Sequence, residues 1–242
     1  NDIEYCKKCD RPTSVLISDL DPEEQGHTTR YCGDCGTQYD YILLDLDKVT
    51  NTPLYKKIGE LHNLYLGERN SSYYNLMSKS AQLAVYRLAK YSLPEILKRD
   101  FVNDEKQTQQ IEAYAEQLMV VHWNIIMDGY FAWIAEQLLA SKKISESKAP
   151  AQDVFENEFQ QTVSVVYEDF IQNDKAPQGG SSISKDTALA LSTLVSLQAY
   201  QHFNNIKELR ELDGIYLNFQ ATCYQGVVAG YALGVIDARY RE

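Results

Sequence analysis

Four of the five cysteines form two close pairs near the start of the chain, and this pattern constrains the fold more than any other feature of the sequence. Cys6 pairs with Cys9 and Cys32 with Cys35, with 22 residues between Cys9 and Cys32. Two residues between two thiolates let one tight turn bring both sulfurs to a single ion, and two such turns make a tetrahedral cage. The sequence therefore predicts one structural Zn²⁺ per chain, with the ligands Cys6, Cys9, Cys32 and Cys35. Because four sulfurs fill the tetrahedron, this ion would have no open position for catalysis.

The residues on either side of the second cysteine pair favour short β-strands. Thr28–Tyr31 leads into the pair and Gln38–Leu43 leads out of it, and both stretches are rich in residues that are common in strands. Gly33 and Gly36 accompany the pair, as a tight turn requires. With these features, residues 4–46 resemble a zinc ribbon, a small β module with metal-binding turns. The resemblance implies the four cysteine ligands but no particular function, because zinc ribbons serve in transcription factors, nucleases, ribosomal proteins and protein–protein contacts.

Other interpretations of the cysteines stay open. A rubredoxin-like iron site has the same four-sulfur geometry, and an oxidising compartment would instead favour disulfides. His27 lies between the pairs and could replace one cysteine, although a turn residue is the simpler interpretation. The fifth cysteine, Cys223, lies in an apolar helical pattern and is expected to be a buried core thiol.

From residue 51 onward the sequence shows helical periodicity. Thr52 followed by Pro53 is typical of a helix start, because a threonine hydroxyl caps the first turn and proline fits its first position. Beyond it, apolar residues recur every three or four positions. These patterns predict a zinc ribbon at residues 1–50, followed by an all-α bundle of five or six helices at residues 51–242. The predicted helices span about 53–65, 73–91, 104–142, 155–170, 185–212 and 216–239.

Three glycines recur every four residues in the last predicted helix. Gly226, Gly230 and Gly234 share one face of that helix. Because glycine costs about 1 kcal/mol in a helix interior, a close approach of another helix is the expected compensation. That helix could belong to the core of the same chain, or to a second copy in a homo-oligomer that associates through this face.

The charge balance is acidic and uneven. The formal net charge is −11, and residues 1–50 hold five Lys or Arg against eleven Asp or Glu, a difference of −6. Binding of nucleic acid requires clustered positive charge, so the net charge disfavours it. The sequence contains no stretch of about 18 uninterrupted apolar residues, so no membrane span is expected. The first residues lack the basic and apolar segments of a secretory signal, so a cytoplasmic location is expected.

No catalytic motif stands out in the sequence. There is no H-E-x-x-H, no Walker A loop and no G-x-S-x-G. His62, close to Glu60 and Glu68, and His122, close to two tryptophans, are the candidates for acid–base chemistry. For each of them, a histidine at the edge of the core with a satisfied hydrogen bond is the alternative. Whether the protein is an enzyme is therefore uncertain, and the absence of a motif argues against it.

The leading hypothesis is a non-enzymatic, zinc-containing interaction or adaptor protein that binds a protein partner through an acidic helical surface. The 18 tyrosines, against seven phenylalanines, fit such a surface, because tyrosine joins apolar area to a polar tip. The first alternative is a nucleic-acid-associated or transcription-associated factor, which requires a basic face despite the net charge. The second alternative is a helical-domain enzyme, which requires a polar cleft around His62 or His122.

Overall fold

The computed structural model describes most of the chain after residue 45 and short pieces before it. The described ranges are 3–6, 8–9, 11–12, 15–17, 30–32, 43–44, 46–67, 76–92, 105–149, 152–172, 183–205 and 213–241. Seven α-helices lie in these ranges: α1 (Leu46–Thr50), α2 (Pro53–Gly67), α3 (Lys79–Arg87), α4 (Glu105–Leu139), α5 (Gln152–Gln172), α6 (Lys185–Asn205) and α7 (Asp213–Ala238). A π-helix, Leu88–Ser92, continues directly from α3.

The described pieces near the start of the chain contain five short strands. They are β1 (Ile3–Cys6), β2 (Arg11–Pro12), β3 (Val15–Ile17), β4 (Arg30–Cys32) and β5 (Leu43–Leu44). Strands β2, β1 and β5 form one antiparallel sheet in that order, and β3 pairs with β4 in another. Cys6 therefore lies opposite Arg11 in the first sheet, and Cys32 lies opposite Val15 in the second.

The fold class expected from the sequence, a small β zinc ribbon followed by five or six helices, is wrong. Helices dominate the described structure, and their number is seven. The strands are only two to four residues long, which gives each pair few ladder hydrogen bonds, and among the described residues they form two separate sheets. The helix missing from the prediction is α1, whose five residues are too few to show a helical period. The all-α character predicted for the body after residue 50 is confirmed within the described ranges.

The helices begin where the sequence offers capping groups. The Thr52 hydroxyl accepts a hydrogen bond from the Tyr55 amide at 3.3 Å, so the predicted start of α2 is confirmed. Ser78 caps α3 in the same way, because its hydroxyl oxygen accepts a hydrogen bond from the Ala81 amide at 3.0 Å. Ser184 caps α6 through the amide of Thr187 at 3.1 Å. Each cap satisfies an amide that a helix start leaves without an intrahelical partner.

Helices α4 and α7 form the centre of the body, and their contact is the largest between any two described elements. In α7, every residue from Gly226 to Leu233 is buried. A Cβ atom at Gly230 would collide with the carbonyl oxygen of Ile126, and one at Gly234 would lie 2.7 Å from the Cβ of Trp133. The glycine face therefore packs against α4 of the same chain, which is the core-packing interpretation of these three glycines.

Helix α4 is apolar on most of its sides. Within Glu112–Leu139 one 18-residue window has a mean hydropathy of 1.2, which by length and composition is enough to cross a bilayer. However, 67% of that window is buried inside the protein, where α2, α6 and α7 pack around it. The central helix of a bundle has the same properties, because most of its sides face other helices.

The end of α7 is fixed by a buried carboxylate. Asp237 is fully buried and accepts hydrogen bonds from the Tyr130 hydroxyl (2.9 Å), the Ser78 amide (3.1 Å) and the Ser147 hydroxyl (2.5 Å). Arg241, one turn later, lies 3.3 Å from the same carboxylate. This cluster, hereafter the Asp237 cluster, joins α4, the start of α3 and the segment after α4 to the last helix. Both carboxylate oxygens of Asp237 have partners, and the low dielectric of the core strengthens those hydrogen bonds, whereas Nε of Arg241 is buried without a hydrogen-bond partner among the described residues.

Candidate functional site

The strongest chemical feature of the body is a buried histidine–aspartate pair between α2 and α4. His62 and Asp128 are 8% and 3% exposed, and 2.5 Å separates His62 Nδ1 from Asp128 Oδ1. Because a carboxylate only accepts hydrogen bonds, the Nδ1–H of His62 donates. The second oxygen of Asp128 accepts from the side-chain amide of Gln198 on α6. One carboxylate therefore joins three helices, and we call these three residues the His62–Asp128–Gln198 cluster.

Aromatic side chains surround the histidine of this cluster. The ring centroid of Phe131 lies 5.8 Å from that of His62, and Trp123 meets the imidazole edge-on at 6.3 Å. Tyr55 is close enough to Asp128 for the carboxylate to raise its pKa, although burial is the larger cause of that rise. His62 Nε2 is buried and has no hydrogen-bond partner among the described residues.

The arrangement of this cluster defines what its imidazole could do. A carboxylate on Nδ1 fixes the tautomer, so in the neutral ring Nε2 carries the lone pair. Such a nitrogen could accept a proton or bind a metal ion, and a carboxylate behind the imidazole supports both roles. Among the residues that the structure describes, however, no group of three or more His, Cys, Asp or Glu side chains is arranged to hold a metal.

The second histidine candidate, His122, lies in the core. It is 1% exposed, and a Cβ atom at Gly226 would come within 2.5 Å of its Nε2. Burial lowers the pKa of His122 to about 4, and the nearby backbone of Thr222 offsets part of that effect. The ring is therefore neutral at pH 7 and is shielded by α7, so its position does not suit acid–base chemistry on a substrate.

The structure brings together only some of the residues singled out in the sequence. Glu60 forms an ion pair with Lys57 at 2.7 Å and is not part of the His62 cluster. Glu68, His27 and Cys35 lie outside the described residues, and the side chains of Cys6 and Cys32 do too. The side chain of Cys9 is partly buried. The zinc site of Cys6, Cys9, Cys32 and Cys35 therefore stays a prediction.

Asp128 and Gln198 are the members of the cluster that the sequence interpretation missed. A signal for Asp128 was present, because it is the only acidic residue between Gln117 and Ala135. A single carboxylate in so apolar a helix must find a partner if it is buried. Which residue would be that partner depends on how α2 and α6 pack against α4, and no local pattern of the sequence encodes this.

The exposed side of α3 and the π-helix forms a second candidate site. Leu83, Tyr86 and Tyr91 are 38%, 48% and 57% exposed, and Lys79 and Lys90 are exposed beside them. We call these five residues the α3–π face. The ammonium nitrogen of Lys90 lies 5.4 Å from the ring centroids of both Tyr86 and Tyr91. Both distances are within the range of a cation–π interaction.

The helix widens between the two tyrosines that meet Lys90. Tyr86 lies in the last turn of α3, and Tyr91 lies in the π-helix, which begins between them at Leu88. In a regular α-helix, residues five apart point about 140° away from each other, and the smaller rotation per residue in a π-helix reduces that angle. Single π-helical turns are frequent at functional sites.

Comparisons with known proteins give no relative for this chain. No protein-family model, no curated protein and no solved structure matches it.

Proposed function

We propose that the chain is a non-enzymatic interaction protein that binds a protein partner through the α3–π face. In this proposal Cys6, Cys9, Cys32 and Cys35 hold a structural Zn²⁺ in the N-terminal part of the chain. The observation that supports it is the grouping of Leu83, Tyr86 and Tyr91, three large exposed side chains, on one side of two consecutive helices.

Such a grouping is typical of docking surfaces. Single exposed apolar residues are ordinary, but neighbouring ones mark interaction sites. Tyrosine is enriched at the centres of protein–protein interfaces because it buries a large area and keeps a hydroxyl for a hydrogen bond. The opposite side of α3 is packed through Ala81, Ala84 and Val85, so the helix is held firmly in place behind the exposed side chains.

The sign of the charge on this face differs from the acidic surface expected from the sequence. Residues 79–92 contain Lys79, Arg87 and Lys90 and no Asp or Glu. A net charge of −11 is a sum over the whole chain and does not fix the charge of one helix. The docking surface in this proposal is therefore basic and aromatic.

Photo-crosslinking in the native host tests the proposal. With the photoreactive residue p-benzoylphenylalanine in place of Tyr86, we expect irradiation to give one adduct of defined mass. Val165 on α5 is 55% exposed and provides the matched control position, from which we expect no such adduct. Failure to obtain an adduct from Tyr86, or the same adducts from both positions, would contradict the docking role of the α3–π face.

A helical-domain enzyme is a second candidate, and the His62–Asp128 pair is the observation in its favour. A catalytic base must be reachable by its substrate, so Nε2 of His62 would have to react with a small reagent. Under this alternative, diethyl pyrocarbonate should modify His62 much faster than the buried His122, with mass spectrometry as the readout. Equal protection of the two histidines would remove the enzyme alternative.

A further inference from the structure

We propose that the partner of the α3–π face is an acidic polypeptide segment that also carries apolar side chains. This inference rests on the proposed function and specifies the chemistry of the partner. Charge complementarity is the first reason for it. Lys79 and Lys90 are exposed cations of this face, whereas the charge of Arg87, the third cation of residues 79–92, is balanced by its ion pair with Glu156. A local basic stripe on an acidic protein attracts an acidic segment and discriminates against basic ones.

The position of Lys90 gives the second reason. Its ammonium group lies at 5.4 Å from the centroids of two tyrosine rings and is exposed to solvent. A lysine side chain normally loses much rotamer freedom when it forms an ion pair, and this loss weakens surface pairs. Because Tyr86 and Tyr91 already restrict Lys90, part of that entropy loss occurs before a carboxylate binds.

The neighbouring Arg87 shows that a cation on this helix binds a carboxylate. Its guanidinium pairs with the carboxylate of Glu156 on α5, at the edge of the α3–π face. Lys79 and Lys90 lie on the same exposed side of the helices, eleven residues apart along the chain. Leu83 and Tyr86 lie between the two lysines along the chain and Tyr91 follows Lys90, and these three side chains offer apolar contact. A matching segment would place carboxylates at both ends and apolar side chains between them.

Nucleic acid shares the negative charge of this partner but fits the face less well. Proteins that bind single strands use exposed aromatic rings on which the bases stack. Here the ammonium of Lys90 already lies near both rings, so a base would have to displace it. The acidic field of the whole chain also repels a polyphosphate more strongly than a short peptide with a few carboxylates.

Fluorescence anisotropy with synthetic probes tests the inference. The first probe is a labelled peptide in which Glu and Asp alternate with Leu and Phe at helical spacing. The second is the same peptide with Gln and Asn in place of the acids, and the third is oligothymidylate. At low ionic strength we expect the acidic peptide to bind about tenfold more tightly than the neutral one, because exposed ion pairs contribute a few tenths to one kcal/mol each.

Charge reversal on the protein provides the matched variants. Lys79→Glu combined with Lys90→Glu should weaken binding of the acidic peptide about tenfold or more. Lys142→Glu combined with Lys143→Glu makes the same change of charge at exposed lysines after α4, and should have a much smaller effect. The circular dichroism spectra of both variants should match that of the unmodified protein.

The outcomes separate this inference from the proposed function. If both peptides bind equally and charge reversal has no effect, while Tyr86→Ala with Tyr91→Ala abolishes binding, the docking face stands and the acidic partner is wrong. Tighter binding of oligothymidylate also overturns the inference. If no peptide binds, the acidic partner is wrong as well, and the photo-crosslinking at Tyr86 then decides separately whether the face docks a protein.

Discussion

At the scale of single residues, burial determines the chemistry of the histidines. His122 is enclosed between α4 and α7, and its pKa falls to about 4 because the core does not solvate an imidazolium. His62 is also buried, but it has the carboxylate of Asp128 as a partner. His202, on α6, is only partly buried, and its pKa is lowered by burial as well.

We expect His122 to destabilise the protein in acid. The pKa of His122 is about 6.5 in the unfolded chain and about 4 in the folded one. Between pH 4 and pH 6.5 the unfolded state therefore binds more protons than the folded state. The free energy of unfolding should therefore fall as the pH drops from about 6.5 to 4, by about 3 kcal/mol from this residue. Urea unfolding at several pH values measures the effect.

His122→Leu should remove most of the pH dependence of the free energy of unfolding between pH 6.5 and 4, because leucine has a similar size and does not titrate. His202→Asn provides the control and should remove less of it, since His202 is less buried. A pH dependence that is the same in His122→Leu and the unmodified protein would contradict the assignment.

The His62–Asp128 pair should show strong energetic coupling. Because both groups are buried, removing one partner leaves the other without its hydrogen bond, at a cost of about 3–5 kcal/mol. In a double-mutant cycle with His62→Ala and Asp128→Ala, we expect a coupling energy of about 1–3 kcal/mol. The exposed pair Lys57–Glu60 is the control, with an expected coupling of about 0.5 kcal/mol or less. Similar coupling in the two pairs would disagree with the buried geometry.

Residues with a local role were predictable, and those with a distant partner were not. Thr52 and Pro53 were correctly predicted as a helix start, because capping depends on the next three residues. Asp128 was missed because its partners are 66 and 70 residues away in the sequence.

At the scale of elements, the close contact of α4 and α7 depends on glycine. The glycine face of α7 lies directly against the backbone and side chains of α4. A second copy of the chain therefore does not find this face open, although it was one candidate for self-association. Van der Waals contact between two backbones compensates for the low helix propensity of glycine.

Substitution at Gly230 tests the close contact. The added methyl group of Gly230→Ala would collide with the carbonyl oxygen of Ile126, so we expect a loss of about 2–3 kcal/mol in the free energy of unfolding. Gly59→Ala in α2 is the matched control, because no atom lies within 4 Å of the position a Cβ would take. It should stabilise the protein by up to about 1 kcal/mol through helix propensity. If Gly230→Ala and Gly59→Ala changed the free energy of unfolding equally, α4 and α7 would have to lie farther apart than described.

The positions of the longer helices were well predicted, and their irregular parts were not. The prediction for α4, about 104–142, agrees closely with Glu105–Leu139. The π-helix after Arg87 was not predicted, since apolar periodicity cannot separate one wider turn from an α-helix. The short strands also depart from the predicted ribbon, because strand pairing is set by distant segments rather than by β-forming residues alone.

At the scale of the whole molecule, the Asp237 cluster holds the ends of several elements together. It joins the last helix to α4 and to the start of α3, and Arg241 also donates to the carbonyl oxygen of Ser145 at 2.5 Å. Because these contacts join residues that are 96 to 159 positions apart in the sequence, they stabilise the assembled body rather than one helix.

Arg241 should therefore contribute much more to the free energy of unfolding than Arg239 does. The side chain of Arg241 is 5% exposed, and Arg241→Ala leaves the buried Asp237 without its cation, at an expected cost of about 3–5 kcal/mol. Arg239 is 55% exposed and lies 3.9 Å from Glu158, so Arg239→Ala should cost about 0.5 kcal/mol or less. Urea unfolding measures both variants. Equal losses would show that Arg241 is not part of a buried network.

The predicted zinc site has a test of its own. Elemental analysis should find one zinc per chain, and Cys32→Ser should lower that content, since three sulfurs bind the ion less tightly than four. The helical circular dichroism signal should largely survive. Cys223→Ser, in the core of α7, is the control and should keep its zinc. If Cys32→Ser lost its helical signal to the same extent as its zinc, a division of the chain near residue 50 would be contradicted.

The net charge of the chain does not fix the charge of any one face. The acidic docking surface suggested by the total stays a prediction, while the exposed Tyr86 and Tyr91 lie beside Lys79 and Lys90. Sums over a chain cannot show which charges share a face, since that depends on which side of each helix is buried.

The central position of α7 also affects how the chain is made. The ribosome completes Leu139 of α4 more than seventy residues before it reaches Asp213 of α7. At a synthesis rate of about 5–20 residues per second, the apolar surface that α7 later covers stays uncovered for on the order of ten seconds. The nascent chain is therefore prone to aggregate during that interval, and fragments that end before α7 share this tendency.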